Sequence, residues 1–548
     1  MIATLFLLAG LSGLAVPAHA SIDAGQEALQ DYARARLADS DGALAESVKS
    51  YRQALALDPN SLVLALRSYR QAIESGDRAL ALRAAHILDQ EMALPPDGPL
   101  LLLADALQKR DLAKARVLTG RLTSERHFSF LAPIVESWIS LSEGKYVPPA
   151  LPQDSGMAAL TRRYLAEHQA LQHLALRDAD GAMPFIEQAL SLRTNMLPGL
   201  RMTAASGLAD LGRKDAALAL LNVPNKDVAA LRTAIQSGRK PKLQVRTAAQ
   251  GYARLLMQLA DDLSGENSQN LALSIARIAS FADPAADECR IEVARQLLAT
   301  DHPQFALQEM AAVKPLSLFA NMANDVRIAA VLGAGDQDRA LDMAQAVAAS
   351  PDANANDYAR VAGLLSRRDD FTAAADAYQK AIDMFGEKAV PWSLYLLKGG
   401  ALEQAGRWDE AKAELEKAAK IAPNEPIILN YLGYAQIERR QNIDAALALL
   451  EKANALKPDD PAITDSLGWA HYVNGDVKKA IPVLERAVLG APDDATVNEH
   501  LGDAYWAAGR RFEARYSWEA AYIYADEQEQ GRIAKKIRLG LRPDFAAP

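Results

Sequence analysis

Three rows of side chains in the last third of this 548-residue sequence have the types and spacing to bind another molecule. They are Asn430, Tyr434 and Ile437, then Asp465, Trp469 and Tyr472, then Glu499, Asp503 and Trp506. Within each row the residues are i, i+4 and i+7, which on an α-helix is a single face. Carboxylates and an amide on such a face accept hydrogen bonds or receive positive charge, while tryptophan and tyrosine add flat apolar area with a polar edge. This is the chemistry of recognition. Catalysis has no comparable support: the sequence contains no H-E-x-x-H, no phosphate-binding loop, no G-x-S-x-G, no paired C-x-x-C and no dinucleotide-binding glycine run. The single cysteine, Cys289, falls in an apolar pattern with Ile291 and Val293 and reads as a small core residue; no disulfide can form within the chain. No catalytic residue, metal ligand or cofactor is assigned, and the chain reads as a non-enzyme.

The elements that must position these rows are helical hairpins repeated from Trp392 to Tyr524. Gly399, Gly433, Gly468 and Gly502 recur at steps of 34, 35 and 34 residues. Each is followed by a small residue (Ala411, Ala446, Ala480, Ala514) and then by a second alanine (Ala418, Ala453, Ala487, Ala521). Pro423, Pro458 and Pro492 close three of the units, because proline cannot continue a helix interior. Such spacing is the tetratricopeptide signature: the glycine and alanines mark where the two helices of a hairpin come closest, and Leu415, Leu484 and Trp518 fill the gaps from the second helix. The expected fold is all-α, a right-handed superhelical solenoid of roughly a dozen hairpins in which each repeat touches only its neighbours.

Upstream the same rhythm is degenerate. Residues 21–145 and 157–238 read as hairpin blocks separated by the segment 146–156, whose three prolines mark a connector. Residues 247–391 continue the hairpins after a break at 238–246, where Arg239, Lys240, Lys242 and Arg246 read as a solvated loop. Residues 525–548 form a capping helix and tail, with Ile533, Ile537 and Leu541 on one side and the basic face of Arg532, Lys535, Lys536 and Arg538 exposed. Half of the residues are apolar and the net charge is −9, which excludes a nucleic-acid binder, since phosphate recognition needs a basic stripe. The uncharged apolar run from Ile2 to Val16, followed by Ala18-His19-Ala20, reads as a signal peptide over residues 1–20, so the expected location is the periplasm. No cysteine lies near the cut, so a lipid anchor of the lipoprotein kind is not expected, and peripheral membrane association stays open.

The strings Asn430-Tyr-Leu-Gly-Tyr434, Asp465-Ser-Leu-Gly-Trp469, Asn498-Glu-His-Leu-Gly-Asp503 and the run Trp506 to Trp518 resemble the exported tetratricopeptide-repeat (TPR) proteins of Gram-negative bacteria. That family includes the LbcA-type adaptors, which deliver cell-wall hydrolases to a carboxyl-terminal processing protease. The resemblance is dense from Trp392 to Leu541 and implies a non-enzymatic scaffold that binds a protease, its substrate or both. The alternative within the binding class is a scaffold for polysaccharide export or outer-membrane assembly machinery. The best-known ligand mode of the fold grips a terminal carboxylate with Lys, Arg and Asn. The rows here carry acids and aromatics, so a protein or peptide partner should instead bring apolar groups, amides or positive charge.

Overall fold

The helices start and stop where the sequence supplies caps. Asp460 accepts from the backbone N–H groups of Ala462 and Ile463, and Asp494 from that of Val497, each satisfying donors that a helix start leaves open. Thr247 with Gln250 and Asp526 with Glu529 form reciprocal capping boxes. The computed structural model describes residues 18–125, 127–192, 197–223, 225–265, 268–315, 317–386, 389–545 and 547. Among these there are 29 α-helices and no β-strand, as the repeat spacing implies. Most of the expected signal peptide, residues 1–17, lies outside the described residues; the first helix, Ala18–Ser40, begins at the expected cleavage sequence.

The chain divides into two compact units, Met1–Ala340 and Leu341–Pro548. In the second unit the repeat positions pack as their residue types require. Ala411, Ala446, Ala480, Ala514 and their partners Ala418, Ala453, Ala487 and Ala521 are all fully buried. A Cβ added at Gly468 would lie 2.6 Å from Leu484, and one at Gly502 2.4 Å from Trp518, closer than real carbon atoms approach. Any larger residue would force the hairpin apart, at about 1–3 kcal/mol per site. The apolar clusters here are small and local, one around Leu450 and Trp469 and another around Leu484, Leu501 and Trp518.

The first unit departs from the expected nearest-neighbour solenoid. One continuous core runs from Leu44 to Ala330, and helices far apart in sequence are bonded through it. Arg277, on the helix Gln269–Ala282, donates Nε to Ile73 O at 3.1 Å and Nη2 to Glu74 O at 3.3 Å. Those carbonyls end the helix Leu62–Ser75, so a guanidinium two hundred residues away caps it. The chain turns out of that helix through Gly76 at φ 86°, and a side chain there would sit 2.9 Å from Arg277 Nη1. Glycine is needed for the left-handed turn and for the approach of the arginine alike. Tyr252 OH donates to Leu100 O at 3.2 Å, and Asp97 accepts from both Tyr69 and Ser274. The hairpins of residues 62–142 thus close onto the helices of 248–282. Hairpin periodicity carries no information about such pairings, which is why the sequence missed them.

The other sequence-level details fall as follows. The segment 146–154 is non-helical and lies between the helices Ala132–Ser142 and Ser155–Ala175. In the basic break, Arg239, Lys240, Lys242 and Arg246 are exposed, but Leu243 and Val245 are buried and fasten the loop to the core. Cys289 is buried, as its apolar pattern implies, and the loss of solvent pushes its thiol pKa far up, which disfavours the thiolate.

Candidate interaction surface

The three rows lie on the first helices of consecutive hairpins, Pro426–Glu438, Pro461–Val473 and Ala495–Ala507. These helices pack side by side, so a residue on one meets residues of the next about one repeat further on. His500 Nδ1 lies 2.9 Å from Asp465 Oδ2, and Trp469 stacks on His500 at 4.0 Å and on Tyr472 at 4.7 Å between ring centres. Asn430, Tyr434 and Tyr472 are half-buried, Ile437 is buried, and Asp465 and Trp469 are only 5% and 3% exposed.

The last row is covered by the chain itself. Arg532 donates to both carboxylate oxygens of Glu499, at 3.0 and 2.6 Å. Lys536 Nζ lies 2.6 Å from Glu499 and 2.7 Å from Asp503, and Trp518 Nε1 donates to Asp503 at 2.9 Å. The backbone N–H of Ala547 adds a third donor to Asp503, at 3.1 Å. The expectation that the basic face of the capping helix is exposed holds for Lys535 and Arg538 and is corrected for the other two: Lys536 is fully buried and Arg532 is paired. The cause is a register match. Arg532 and Lys536 are four apart, as are Glu499 and Asp503, and each pair is separated by 33 residues, so Glu527–Leu539 takes the place of the first helix of a further repeat. That match was present in the sequence as two complementary i, i+4 pairs one period apart.

Trp506 does not stand free either. Its ring meets Trp518 at 5.3 Å, carries the Arg511 guanidinium at 3.8 Å, and has Gly540 against its far edge. What remains of the rows as a surface is the half-buried edge of Asn430, Tyr434 and Tyr472 above Trp469. A second concavity, which sequence reasoning passed over as a connector, lies in the first unit. There the segment 146–154 walls a cleft of about 1120 Å³ with Arg116, Pro133, Leu151 and Met157 on its lining.

The electrostatics of the inner face follow from burial against pairing. Burial opposes charge on Glu499, yet Arg532 and Lys536 hold its pKa below the usual carboxylate value. Asp503 is raised, because burial outweighs Lys536 there. Burial also disfavours a cationic His500, but the Asp465 carboxylate prevails and the histidine pKa is raised. A raised folded value means that the stabilisation is full below the unfolded pKa and fades as pH climbs through the folded one. Melting of the C-terminal repeats should therefore lose this contribution over the pH range that starts near the ordinary histidine value, about 6.5, and runs upward from it. His471, whose pKa is lowered by burial, acts in the opposite sense, and does so below the ordinary histidine value. The measurement is thus the difference between the parent and His500→Gln in thermal melts across the His500 range: the gap should narrow as pH rises, and a gap independent of pH would show that His500 is neutral throughout.

Tetratricopeptide-repeat family profiles match residues 358–426, 402–470 and 438–498. No curated protein matches the sequence. Among solved structures the chain is similar to MamA from Desulfovibrio magneticus RS-1, at 20% identity over 31% of this chain and 94% of that one, with a TM-score of 0.28. It is also similar to YrrB, a TPR protein with an unusual peptide-binding site, at 22% identity over 33% of this chain and 92% of that one, with a TM-score of 0.27. At these values neither likeness carries a functional argument. The repeats themselves do: stacked helical hairpins of this kind are modules that hold protein or peptide partners. Residues 358–498 are tetratricopeptide repeats, set in an all-α solenoid of helical hairpins.

Proposed function

We propose that this protein is a non-enzymatic scaffold of the periplasm, holding a protein or peptide partner on the inner face of residues 392–524 and serving as an adaptor in envelope proteolysis or cell-wall turnover. One observation supports this reading above the rest: the aromatic edge of Tyr434 and Tyr472 over the Trp469 stack combines half-buried flat rings with acceptors, the composition expected of an anchor site for a partner. The apolar run and cleavage sequence at residues 1–20 support the periplasmic location.

The test is affinity capture from a Gram-negative envelope extract with the parent chain and with Tyr434→Ala. Recovery of a processing protease or a peptidoglycan hydrolase by the parent, reduced at least about tenfold by the substitution, is the expected result. Circular dichroism of the variant guards against simple unfolding. Recovery of export or assembly components instead would move the protein to that machinery. Turnover of a cell-wall or peptide substrate by the purified chain would overturn the non-enzyme reading.

A further inference from the structure

The second helix of the last repeat, Arg511–Tyr524, carries a stripe of side chains that the packing of its hairpin does not use. Phe512, Tyr516 and Ile523 are 79%, 71% and 70% exposed, and with the exposed Glu519 they stand at i, i+4, i+7 and i+11, one side of the helix. The opposite side, with Ala514, Trp518 and Ala521, is buried, and Trp518 lies against Gly502 of the first helix. The stripe therefore points away from that first helix.

The preceding repeats show that packing does not require it. At the register of Phe512 they have Asp409, Asp444 and Lys478, and at that of Tyr516 they have Ala413, Ala448 and Pro482. Charged and small residues suffice there for a hairpin to form, yet the last repeat sets two large rings in their place. Large apolar side chains grouped on one exposed face mark a contact surface.

The order of the residues says what covers it. Phe512 and Ile523 stand equally far from the middle of the stripe, one on each side, and so do Tyr516 and Glu519. An antiparallel copy of the same helix, related by a two-fold axis at that middle, sets Phe512 on Ile523 and Tyr516 beside Glu519, each contact made twice, as an isologous interface demands. Apolar ends then meet apolar ends, and each phenol donates to a carboxylate. A lipid surface fits less well, because it would draw the Glu519 carboxylate into apolar surroundings.

We infer that this protein pairs with a second copy of itself through the outer face of Arg511–Tyr524, helix on antiparallel helix. With a covered aromatic ring at about 150–250 Å², the partly exposed Phe512, Tyr516, Tyr522 and Tyr524 offer on the order of 500 Å² from each copy. That is less than the ~800 Å² per partner of a standard stable interface, so the dimer is a reversible one that forms at micromolar concentration. Because the contact lies on the side away from the first helices, the dimer offers a partner with two binding segments the gain of a tethered second contact.

Sedimentation velocity of the full chain tests this, with circular dichroism to check that each variant is folded. The parent should pass from one chain mass to two between about 1 and 100 µM. Phe512→Lys should weaken the dimer at least about tenfold, since an ammonium then meets Ile523 of the second copy. Adding Ile523→Glu should recover at least about tenfold of that loss, because the introduced ammonium then meets a carboxylate. The two positions are about 16 Å apart along one helix, so their new charges can meet only between copies. A parent that stays monomeric, a dimer indifferent to Phe512→Lys, or a double variant no better than the single one overturns the inference. A monomeric parent that instead floats with vesicles of phosphatidylethanolamine and phosphatidylglycerol, and loses them on Phe512→Lys, makes the stripe a membrane contact and overturns it as well.

Discussion

Replacing Lys536 with methionine should cost the last hairpin about 3–5 kcal/mol, the range for stripping one member from a buried charge cluster. The ammonium is fully buried and lies 2.6 Å from Glu499 and 2.7 Å from Asp503, so its loss leaves two carboxylates that no water can reach. Asp503 keeps the N–H groups of Trp518 and Ala547, and Glu499 keeps Arg532, which limits the damage to this end of the chain. Because repeat stability is nearly a sum over neighbours, hydrogen exchange should rise in Ala495–Tyr524 and in the capping helix before it rises in the repeats upstream. Adding Asp503→Leu to Lys536→Met removes the orphaned charge as well, and should restore part of the loss, since a buried ion pair is often matched by apolar groups of similar size. A Lys536→Met chain that melts like the parent would mean that the capping helix is not seated on the inner face.

The second large effect should come from Arg277→Met in the first unit, about 2–5 kcal/mol, roughly 1–3 kcal/mol for each of two buried carbonyls left without its donor. Burial lowers the arginine's pKa, yet the group is retained because it caps Ile73 O and Glu74 O and pairs with Glu309. Glu309 still has Arg290 at 3.1 Å after the change, so the uncompensated groups are the carbonyls at the end of Leu62–Ser75. Here the expected pattern differs from the C-terminal repeats. With one core running from Leu44 to Ala330, the helices Leu62–Ser75 and Gln269–Ala282 should lose exchange protection together in urea, although two hundred residues separate them. Loss confined to Gln269–Ala282 would show that the closure contributes little.

The contrast between these two cases marks what sequence decided. Within residues 392–524 the hairpins were legible because their packing is local: Gly468 must be small where Leu484 crosses it, Ala480 and Ala487 must be small against the neighbouring helix, and each requirement recurs every 34 or 35 residues. Helix period and repeat period together placed Asn430, Asp465 and Glu499 at one register of the inner face. They could not say what lies on that face. Whether Glu499 and Asp503 meet solvent, a partner or Lys536 depends on where the capping helix docks, and a basic stripe reads the same whether it is exposed or buried. The closure of the first unit was hidden for a deeper reason: the tie from Arg277 to Ile73 is made to a backbone carbonyl, and every residue has one. Local periodicity fixes helices and their immediate neighbours; contacts between distant helices depend on accumulated geometry, and only the tertiary structure resolves them.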